Sequence, residues 1–285
     1  MDHTAASRQW DPPGGAACYL ARVAEVSALH VYPIKSCRGI RVQEWPVVAR
    51  GFVADRRWML VDRAGSFVTQ RERSRLALVD TALQGDQLRV TATGHTELVL
   101  PLSHEAGEAR AVRIWNDVAV ALVHELGSAW FSDFLEAPHE LVYMPEGHHR
   151  QVDPARAKPG EIVSFADAYP FLLISEASLL DLNSRLERKI TMDRFRPNIV
   201  IRGTQPYAED DFAQVRIGQL AFRGPKRCDR CVITTIDPLS AEQGKEPLRT
   251  LAKYRLADNK VWFGMNLIHD AVGVLRVGDS VEVLR

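Results

Sequence analysis

Apolar and polar residues alternate along this chain in many short segments, which is the pattern of strands with one buried face. The alternation predicts strands at residues 26–32, 57–62, 67–70, 87–92, 111–114 and 118–123, and then at 198–201, 215–217, 220–223, 232–236, 261–267 and 281–284. Turn residues at 62–65 and at 218–219 predict that the strands on either side of them form hairpins.

Three segments have features of helices instead. Ser175 is a predicted N-cap, because leucines at 179, 182 and 186 follow it at helical spacing. Ser128 is expected to cap a short helix that runs to residue 135, and Pro247 to open one that runs to residue 255. The predicted fold class is therefore α+β and predominantly β.

The same pattern divides the chain into segments. Residues 1–18 are rich in Ala, Pro and Gly and are expected to form a flexible tail. A first β-rich segment covers residues 19–144, and a second one, residues 145–285, begins at Pro145.

Composition narrows the class of protein. The chain has 285 residues, of which 46% are apolar, and 36 basic residues balance 36 acidic ones, so neither a nucleic acid nor an anionic membrane is an expected partner. No apolar stretch is long enough to predict a membrane span or a signal peptide. Four cysteines are too few for a disulfide framework, and a reducing cytoplasm is the predicted location.

Basic residues nevertheless cluster beside the segments that carry chemical groups. A local basic pocket for an anionic small molecule fits this distribution better than a basic face does. The clustered residues are Lys35, Arg38, Arg56, Arg57, Arg71, Arg73, Arg75, Arg194, Arg196, Arg227 and Arg230.

Cys231 is the first candidate for a reacting or metal-binding atom. It ends the run Lys-Arg-Cys-Asp-Arg-Cys at 226–231, where nearby guanidinium groups favour a thiolate, the form that acts as nucleophile or metal ligand. A Cys-x-x-Cys pair with Cys228 is also compatible with half of a zinc site or with a redox dithiol. The sequence supplies no second pair of zinc ligands at suitable spacing, and the pair precedes a predicted strand instead of a helix.

Two other loops have the composition of binding loops. Lys35 and Ser36 follow a predicted strand and suit a phosphate, although a solvated turn is an equally good interpretation. Arg196 and Asn198 flank a proline, and their side chains suit a phosphate and a heterocycle edge, with an ordinary surface loop as the alternative. Arg56 belongs to the run Asp-Arg-Arg-Trp at 55–58, in which an arginine near a tryptophan suits packing as well as binding.

These segments together resemble the MOSC family, the molybdenum cofactor sulfurase C-terminal family, preceded by its N-terminal β-barrel domain. The resemblance is closest to the amidoxime-reducing members and their bacterial counterparts. It extends over residues 22–285, and the matching motifs occur in order at 31–37 (VYPIKSC), 55–62 (DRRWMLVD), 165–183 (FADAYPFLLISEASLLDLN), 195–200 (FRPNIV), 228–238 (CDRCVITTIDP), 245–251 (KEPLRTL), 263–266 (FGMN) and 277–279 (VGD).

The resemblance implies two β-barrel-like domains with a few helices and a role for each motif. Cys231 matches the cysteine that ligates molybdenum, and Asp167 lies at a position near the metal. The resemblance thus implies Cys231 and Asp167 as the catalytic residues, with Asp167 handling protons. The implied residues that bind molybdopterin are Lys35, Ser36, Arg56, Arg196, Asn198, Asp229, Arg230 and Asn266. Asn266 stands where the mitochondrial members have tyrosine.

The resemblance also implies a reaction. A molybdenum-cofactor-dependent oxidoreductase would reduce amidoximes, hydroxylamines or N-hydroxylated bases, with electrons from a separate ferredoxin-, flavodoxin- or cytochrome-type protein. The resemblance leaves room for pyridoxal phosphate binding as well. The alternative function is a non-redox carrier of the cofactor or of sulfur, and a structural zinc protein is the third interpretation.

Overall fold

The computed structural model describes residues 24–285, so the tail predicted for residues 1–18 lies outside the described residues. The first half contains β1 (Glu25–Val31), β2 (Ile40–Val42), β3 (Glu44–Val48), β4 (Gly51–Phe52), β5 (Trp58–Val61), β6 (Phe67–Val68), β7 (Asp80–Gln84), β8 (Gln87–Thr91), β9 (Leu98–Pro101), β10 (Ala109–Ile114), β11 (Asp117–Val123), α1 (Glu125–Phe134) and β12 (Glu140–Tyr143). The second half contains β13 (Arg150–Gln151), β14 (Ile162–Val163), β15 (Phe171–Ser175), α2 (Glu176–Ser184), β16 (Ile199–Arg202), β17 (Gln214–Ile217), β18 (Leu220–Asp229), α3 (Leu248–Leu251), β19 (Leu256–Ala257), β20 (Lys260–His269), β21 (Gly273–Arg276) and β22 (Val281–Val283). The predicted class, α+β with strands predominating, is confirmed.

A nine-stranded sheet forms the centre of the molecule. Its order is β2-β1-β16-β15-β20-β18-β17-β22, with β19 paired to β20 outside this path. Only β15 and β16 run parallel to each other; the other pairs in this sheet are antiparallel. Because β1 pairs with β16 of the second half, and β2 pairs with β1, this sheet joins the two predicted segments. The division at residue 145 stays a prediction.

A second sheet belongs to the first half alone. Its five strands have the order β10-β11-β12-β5-β6, and a separate three-stranded sheet, β7-β8-β9, lies in the same half. Apolar side chains from both of these sheets and from α1 form one buried cluster, in which Trp58, Tyr143 and Phe131 are the largest fully buried members. Burial of such large aromatic side chains is worth several kcal/mol per residue, roughly 3 to 5, when compared with alanine.

β18 and β20 position much of the candidate chemistry. They pair over their whole length, with irregular register between 223 and 226 and again between 227 and 229, and such bulges redirect side chains. β20 also contains Gly264 (φ +84°), where a Cβ atom would lie 2.7 Å from Cγ1 of Ile174 and 3.0 Å from the carbonyl oxygen of Leu173. Glycine therefore permits the close approach of β15 that brings residue 266 to the site.

Three predicted elements differ in the structure. The strand predicted at 232–236 is a 3-10 helix, Val232–Thr235, because the hydroxyls of Thr234 and Thr235 donate to the carbonyl oxygens of Cys231 and Val232. The helix predicted after Ser128 starts earlier, at residue 125, since the His124 ring accepts the capping bond. The helix predicted from Pro247 to residue 255 ends after one turn, at residue 251.

The other predicted helix is confirmed. The Ser175 hydroxyl accepts a hydrogen bond of 3.1 Å from the backbone N–H of Ser178, as an N-cap should. Residues 24–285 contain no helix that is both long and apolar enough to cross a membrane.

Candidate functional site

A cavity of about 140 Å³ brings together the predicted site residues, which come from six separate parts of the sequence. The lining includes Lys35, Ser36, Arg56, Asp167, Arg196, Asn198, Asp229, Arg230, Cys231 and Asn266. Each of them was named from the sequence, and the structure places all of them around one space. Their individual roles toward a ligand stay predictions.

Cys231 lies at the turn between the end of β18 and the 3-10 helix. Its side chain is half-buried and lines the cavity, and its backbone is the N-cap of the 3-10 helix. The Nη2 atom of Arg71 donates to its Sγ at 3.2 Å. Cys231 thus presents sulfur to the cavity beside a fixed positive charge.

Cys37 and Cys228 differ from it. Cys37 is fully buried, and burial raises the pKa of its thiol to about 12, so this sulfur stays protonated and inert. Cys228 also lines the cavity, where its Sγ accepts a hydrogen bond of 3.0 Å from Nη1 of Arg230, and burial raises the pKa of its thiol. Residues 24–285 contain no group of three or more potential metal ligands, so no zinc site is completed around Cys228 and Cys231 there.

Lys35 and Asp167 form an ion pair at one wall. Lys35 is 6% exposed, and its Nζ donates to Asp167 Oδ1 and, at 2.7 Å, to the carbonyl oxygen of Phe165. Burial would raise the pKa of Asp167, but the Lys35 ammonium outweighs it and holds that pKa well below the usual range. Burial lowers the pKa of Lys35, and Asp167 opposes that shift. Half of the Asp167 side chain remains exposed, so a carboxylate faces the open cavity.

The Asn198 side chain orients Arg56 through a set of hydrogen bonds. Its Oδ1 accepts from Arg56 Nη1 at 2.9 Å, and its Nδ2 donates to Asp55 Oδ1 at 3.1 Å and to the carbonyl oxygen of His30 at 3.2 Å. Asp55 is also bonded to Arg56, through Oδ2 at 2.6 Å. Because protein groups already engage both ends of the Asn198 amide, its immediate task is to position Arg56.

Arg56 and Arg196 pack on the same aromatic ring. Their guanidinium carbons lie 4.3 Å and 4.4 Å from the ring centroid of Tyr32. Gly39 makes room for that ring, since a Cβ at this position would lie 2.4 Å from a ring carbon. Two cations are therefore stacked in fixed positions beside the cavity.

Three lining residues have left-handed backbones although none is glycine. The φ angles are +72° at Ser36, +47° at Arg56 and +57° at Arg196. Such conformations cost about 1 kcal/mol or more each, and in proteins they concentrate at functional sites. Gln70 supports Ser36 by donating from its side-chain amide to the carbonyl oxygen of Ser36 at 2.6 Å.

Of the remaining predicted residues, Asp229 ends β18, Arg230 follows it directly, and Asn266 lies within β20. Arg230 donates to the carbonyl oxygen of Phe195 at 2.7 Å, and its Nε is buried without a partner, as is Nη2 of Arg196. Asp229 contacts Lys226 and Lys260 at 3.2 Å and 3.9 Å. Asn266 makes one long bond, 3.4 Å, to a backbone carbonyl oxygen.

Sequence reasoning missed the roles of Arg71 and Arg150. Arg71 appeared only as a member of the basic cluster, and Arg150 did not appear. Arg150 is 7% exposed and donates to the carbonyl oxygens of Ser164 (2.9 Å), Ala166 (2.6 Å) and Asp167 (3.1 Å). For Arg71 the signal available in the sequence was a basic residue directly after the strand predicted at 67–70, which is too common to single it out. Arg150 opens the two-residue strand β13 and follows no predicted strand.

Comparisons with known proteins agree with this organisation. Residues 23–138 match the MOSC N-terminal beta barrel domain, and residues 160–282 match the MOSC domain. The chain is 35% identical to mitochondrial amidoxime-reducing component 1 of Homo sapiens, over 93% of this chain and 84% of that protein. It is 36% identical to component 1 of Mus musculus over the same shares, and 35% identical to component 2 of Rattus norvegicus over 92% and 84%.

Both domain models match in their usual order, and the identity to the relatives extends over most of each chain. The chain therefore belongs to the MOSC-domain family of the amidoxime-reducing components.

Proposed function

We propose that this protein is a molybdenum-cofactor-dependent oxidoreductase that reduces N-hydroxylated compounds. One observation carries the proposal: the Cys231 thiol and the cations Lys35, Arg56, Arg196 and Arg230 line a single cavity in a chain of this family. The relatives are named for the reduction of amidoximes, which supports a substrate with an N–O bond.

The residues present fit an anionic pterin cofactor. The cavity has four cationic and two anionic lining side chains, and two of the cations, Arg196 and Arg230, have buried N–H groups without acceptors. A buried donor without a partner costs about 1 to 3 kcal/mol, and phosphate or pterin oxygen and nitrogen atoms would supply acceptors. A thiolate is a suitable ligand for a polarizable metal.

Each residue then has a defined task. Cys231 would hold the metal, Lys35, Ser36, Arg56 and Arg196 would hold the phosphate and ring system, and the bound cofactor would supply the two-electron chemistry. Asn198 keeps Arg56 in place through the bonds described above. Asp229, Arg230 and Asn266 line the same cavity and would make further contacts with the cofactor.

Asp167 suits substrate orientation. The Lys35 ammonium lowers its pKa, so the carboxylate is ionised at neutral pH and can accept hydrogen bonds from a substrate. An amidoxime carries N–H and O–H donors that such an acceptor would bind. In the overall reaction the N–O bond breaks, the substrate takes up two electrons and two protons, and the oxygen leaves as water.

The electrons would come from a separate ferredoxin-, flavodoxin- or cytochrome-type protein. A cytoplasmic location stays a prediction, since the relatives are named mitochondrial.

Metal and activity measurements test the proposal together. Protein purified from a cofactor-competent host should contain about one molybdenum per chain and a pterin on extraction, and should reduce benzamidoxime with a chemical electron donor. Absence of metal and pterin would refute the proposal. Cys231→Ser should lower the reduction rate by roughly 10³-fold or more, whereas the buried Cys37→Ser should leave it near wild type.

The carrier alternative gives a different result in the same experiment. A persulfide on Cys231, detected by mass spectrometry, together with bound cofactor and no reduction of benzamidoxime, would favour a carrier of sulfur or cofactor. The half-buried Cys231 thiol, which lines the cavity beside the Arg71 guanidinium, is the observation that keeps this alternative testable.

A further inference from the structure

Arg71 connects the two groups that the proposed reaction needs side by side. Its Nη2 lies 3.2 Å from Sγ of Cys231 and 3.7 Å from Oδ2 of Asp167. Within residues 24–285 it makes the only polar contact of the Cys231 sulfur. One planar guanidinium therefore sets the relative positions of the sulfur and the carboxylate.

The arginine itself is held from two directions. Its backbone N–H and its Nη1 both approach the hydroxyl of Thr69, at 3.1 Å and 3.4 Å, and Thr69 is 1% exposed. Its guanidinium carbon lies 4.8 Å from the ring centroid of Trp115, which in turn packs against Phe67 at 5.1 Å. Stacking on one face leaves the donor edge free to point at the sulfur.

Trp115 is the first residue of the two-residue turn between β10 and β11, since Ile114 pairs with Asp117. Its φ angle of +55° is the geometry that tight hairpin turns require at this position. The residue is 48% exposed, and its ring packs against the guanidinium of Arg71. The turn therefore accounts for the backbone, and the contact with Arg71 is what the side chain adds.

The same turn also supports the Asp167 loop. Asp117, two residues after Trp115, accepts a hydrogen bond of 2.8 Å from Nε of Arg150, which holds the carbonyl oxygens of residues 164, 166 and 167. The β10–β11 turn is thus linked through Arg71 to the sulfur and through Arg150 to the backbone of Asp167.

We propose that Arg71 is a positioning residue that fixes the Cys231 sulfur and the Asp167 carboxylate relative to each other, and that Trp115 keeps Arg71 in place. The inference rests on the proposed function, since it gives the sulfur its use as a metal ligand. Lysine would retain the charge without the planar fork, so it should replace the electrostatic part of this role and not the geometric part.

Alkylation of the thiol measures the neighbouring charge without any cofactor. Iodoacetate is anionic and iodoacetamide is neutral, so the ratio of their rates at one cysteine reports a cation beside it. Trypsin cleaves after Arg230, which places Cys228 and Cys231 in different peptides for mass spectrometry. In Arg71→Met the ratio at Cys231 should fall about 3- to 10-fold, the size expected for loss of one nearby charge in a wet site.

Matched variants make the measurement specific. Arg71→Lys should restore most of the ratio, and Trp115→Ala should lower it less than Arg71→Met does. Arg75→Met removes a guanidinium that packs on Phe134 and should change nothing at Cys231. Arg230→Met should lower the ratio at Cys228 instead, because Arg230 contacts that sulfur. An unchanged ratio at Cys231 in Arg71→Met would overturn the inference.

Metal content separates this inference from the proposed function. In a cofactor-competent host, Arg71→Met should bind less molybdenum than Arg75→Met does, and Arg71→Lys should recover part of the loss. Wild-type protein without molybdenum would refute the proposed function whatever the alkylation ratios are. Normal molybdenum content together with a normal ratio in Arg71→Met would refute only the positioning role.

Discussion

The cavity has an inner wall, formed by Lys35, Arg56 and Asn198, and a rim, formed by Arg230, Cys231 and Asn266. The inner wall is satisfied within the chain: Asn198 is 1% exposed and bonds to several groups, and Lys35 is 6% exposed and bonds to two oxygens. The rim is not: Arg230 has an unpartnered Nε, and Asn266 has one long bond.

The difference indicates which parts of the site depend on a ligand. Folding alone orders the inner wall, since its charges are already paired, so it can offer a preformed surface to a phosphate or ring. The rim has polar atoms whose partners the chain does not provide. Substitutions should therefore affect stability strongly at the inner wall and weakly at the rim, when cofactor-free protein is measured.

The largest effect is expected for Asn198→Ala. The substitution removes partners from the buried Asp55 and from Arg56, and unsatisfied buried polar groups should lower the free energy of unfolding by about 3 kcal/mol. Burial already raises the pKa of Asp55, and loss of the Asn198 bond takes away one group that opposes the shift. Urea unfolding of cofactor-free protein measures this change in the free energy of unfolding. A loss below about 1 kcal/mol would contradict the conclusion that bonds within the chain stabilise the inner wall.

The ion pair of Lys35 should give a smaller, pH-dependent effect. Folding lowers the pKa of Asp167, so the ionised carboxylate stabilises the folded protein. This stabilisation is complete at a pH above the pKa of the unfolded state, about 3.9, and is lost as the pH falls below it. At pH 7 the free energy of unfolding of the wild type should exceed that of Asp167→Asn by about 1 kcal/mol. The difference is modest because half of the Asp167 side chain is exposed and solvent screens the ion pair.

Unfolding at pH 7, 5 and 3 tests this sign. The difference between wild type and Asp167→Asn should be equal at pH 7 and 5 and smaller at pH 3. Asp86→Asn, an exposed residue without an ion pair in the part of the chain that the structure covers, is the control and should show no such trend. A difference that grows on acidification would show that Asp167 does not gain from Lys35.

How far the sequence predicts this molecule depends on the range of the interactions concerned. Alternation predicted β1, β5, β8 and β11 because the period of two is a local property. The same logic failed at residues 232–236, where a β-branched run suggested a strand. The hydroxyls of Thr234 and Thr235 satisfy backbone carbonyl groups locally and favour a 3-10 turn.

The site shows the same limit. The residues that the motifs named all line one cavity, because each candidate could be recognised from its own short segment of sequence. Contacts between motifs were not readable: Arg71 meets Cys231 across 160 residues of sequence, and Asn198 meets Arg56 across 142. Asn198 consequently looked like a ligand for a heterocycle edge, whereas its amide is engaged by Arg56 and Asp55.

The smallest loss in the free energy of unfolding is expected for Asn266→Ala. This substitution at the rim is the counterpart of Asn198→Ala at the inner wall. Its single bond of 3.4 Å is at the weak end of hydrogen bonds, so cofactor-free protein should lose less than about 1 kcal/mol. Urea unfolding beside Asn198→Ala measures both changes under one condition. A loss as large as that of Asn198→Ala would mean that the chain stabilises the rim as it does the inner wall, and the unpaired groups at the rim would then no longer argue for a bound ligand.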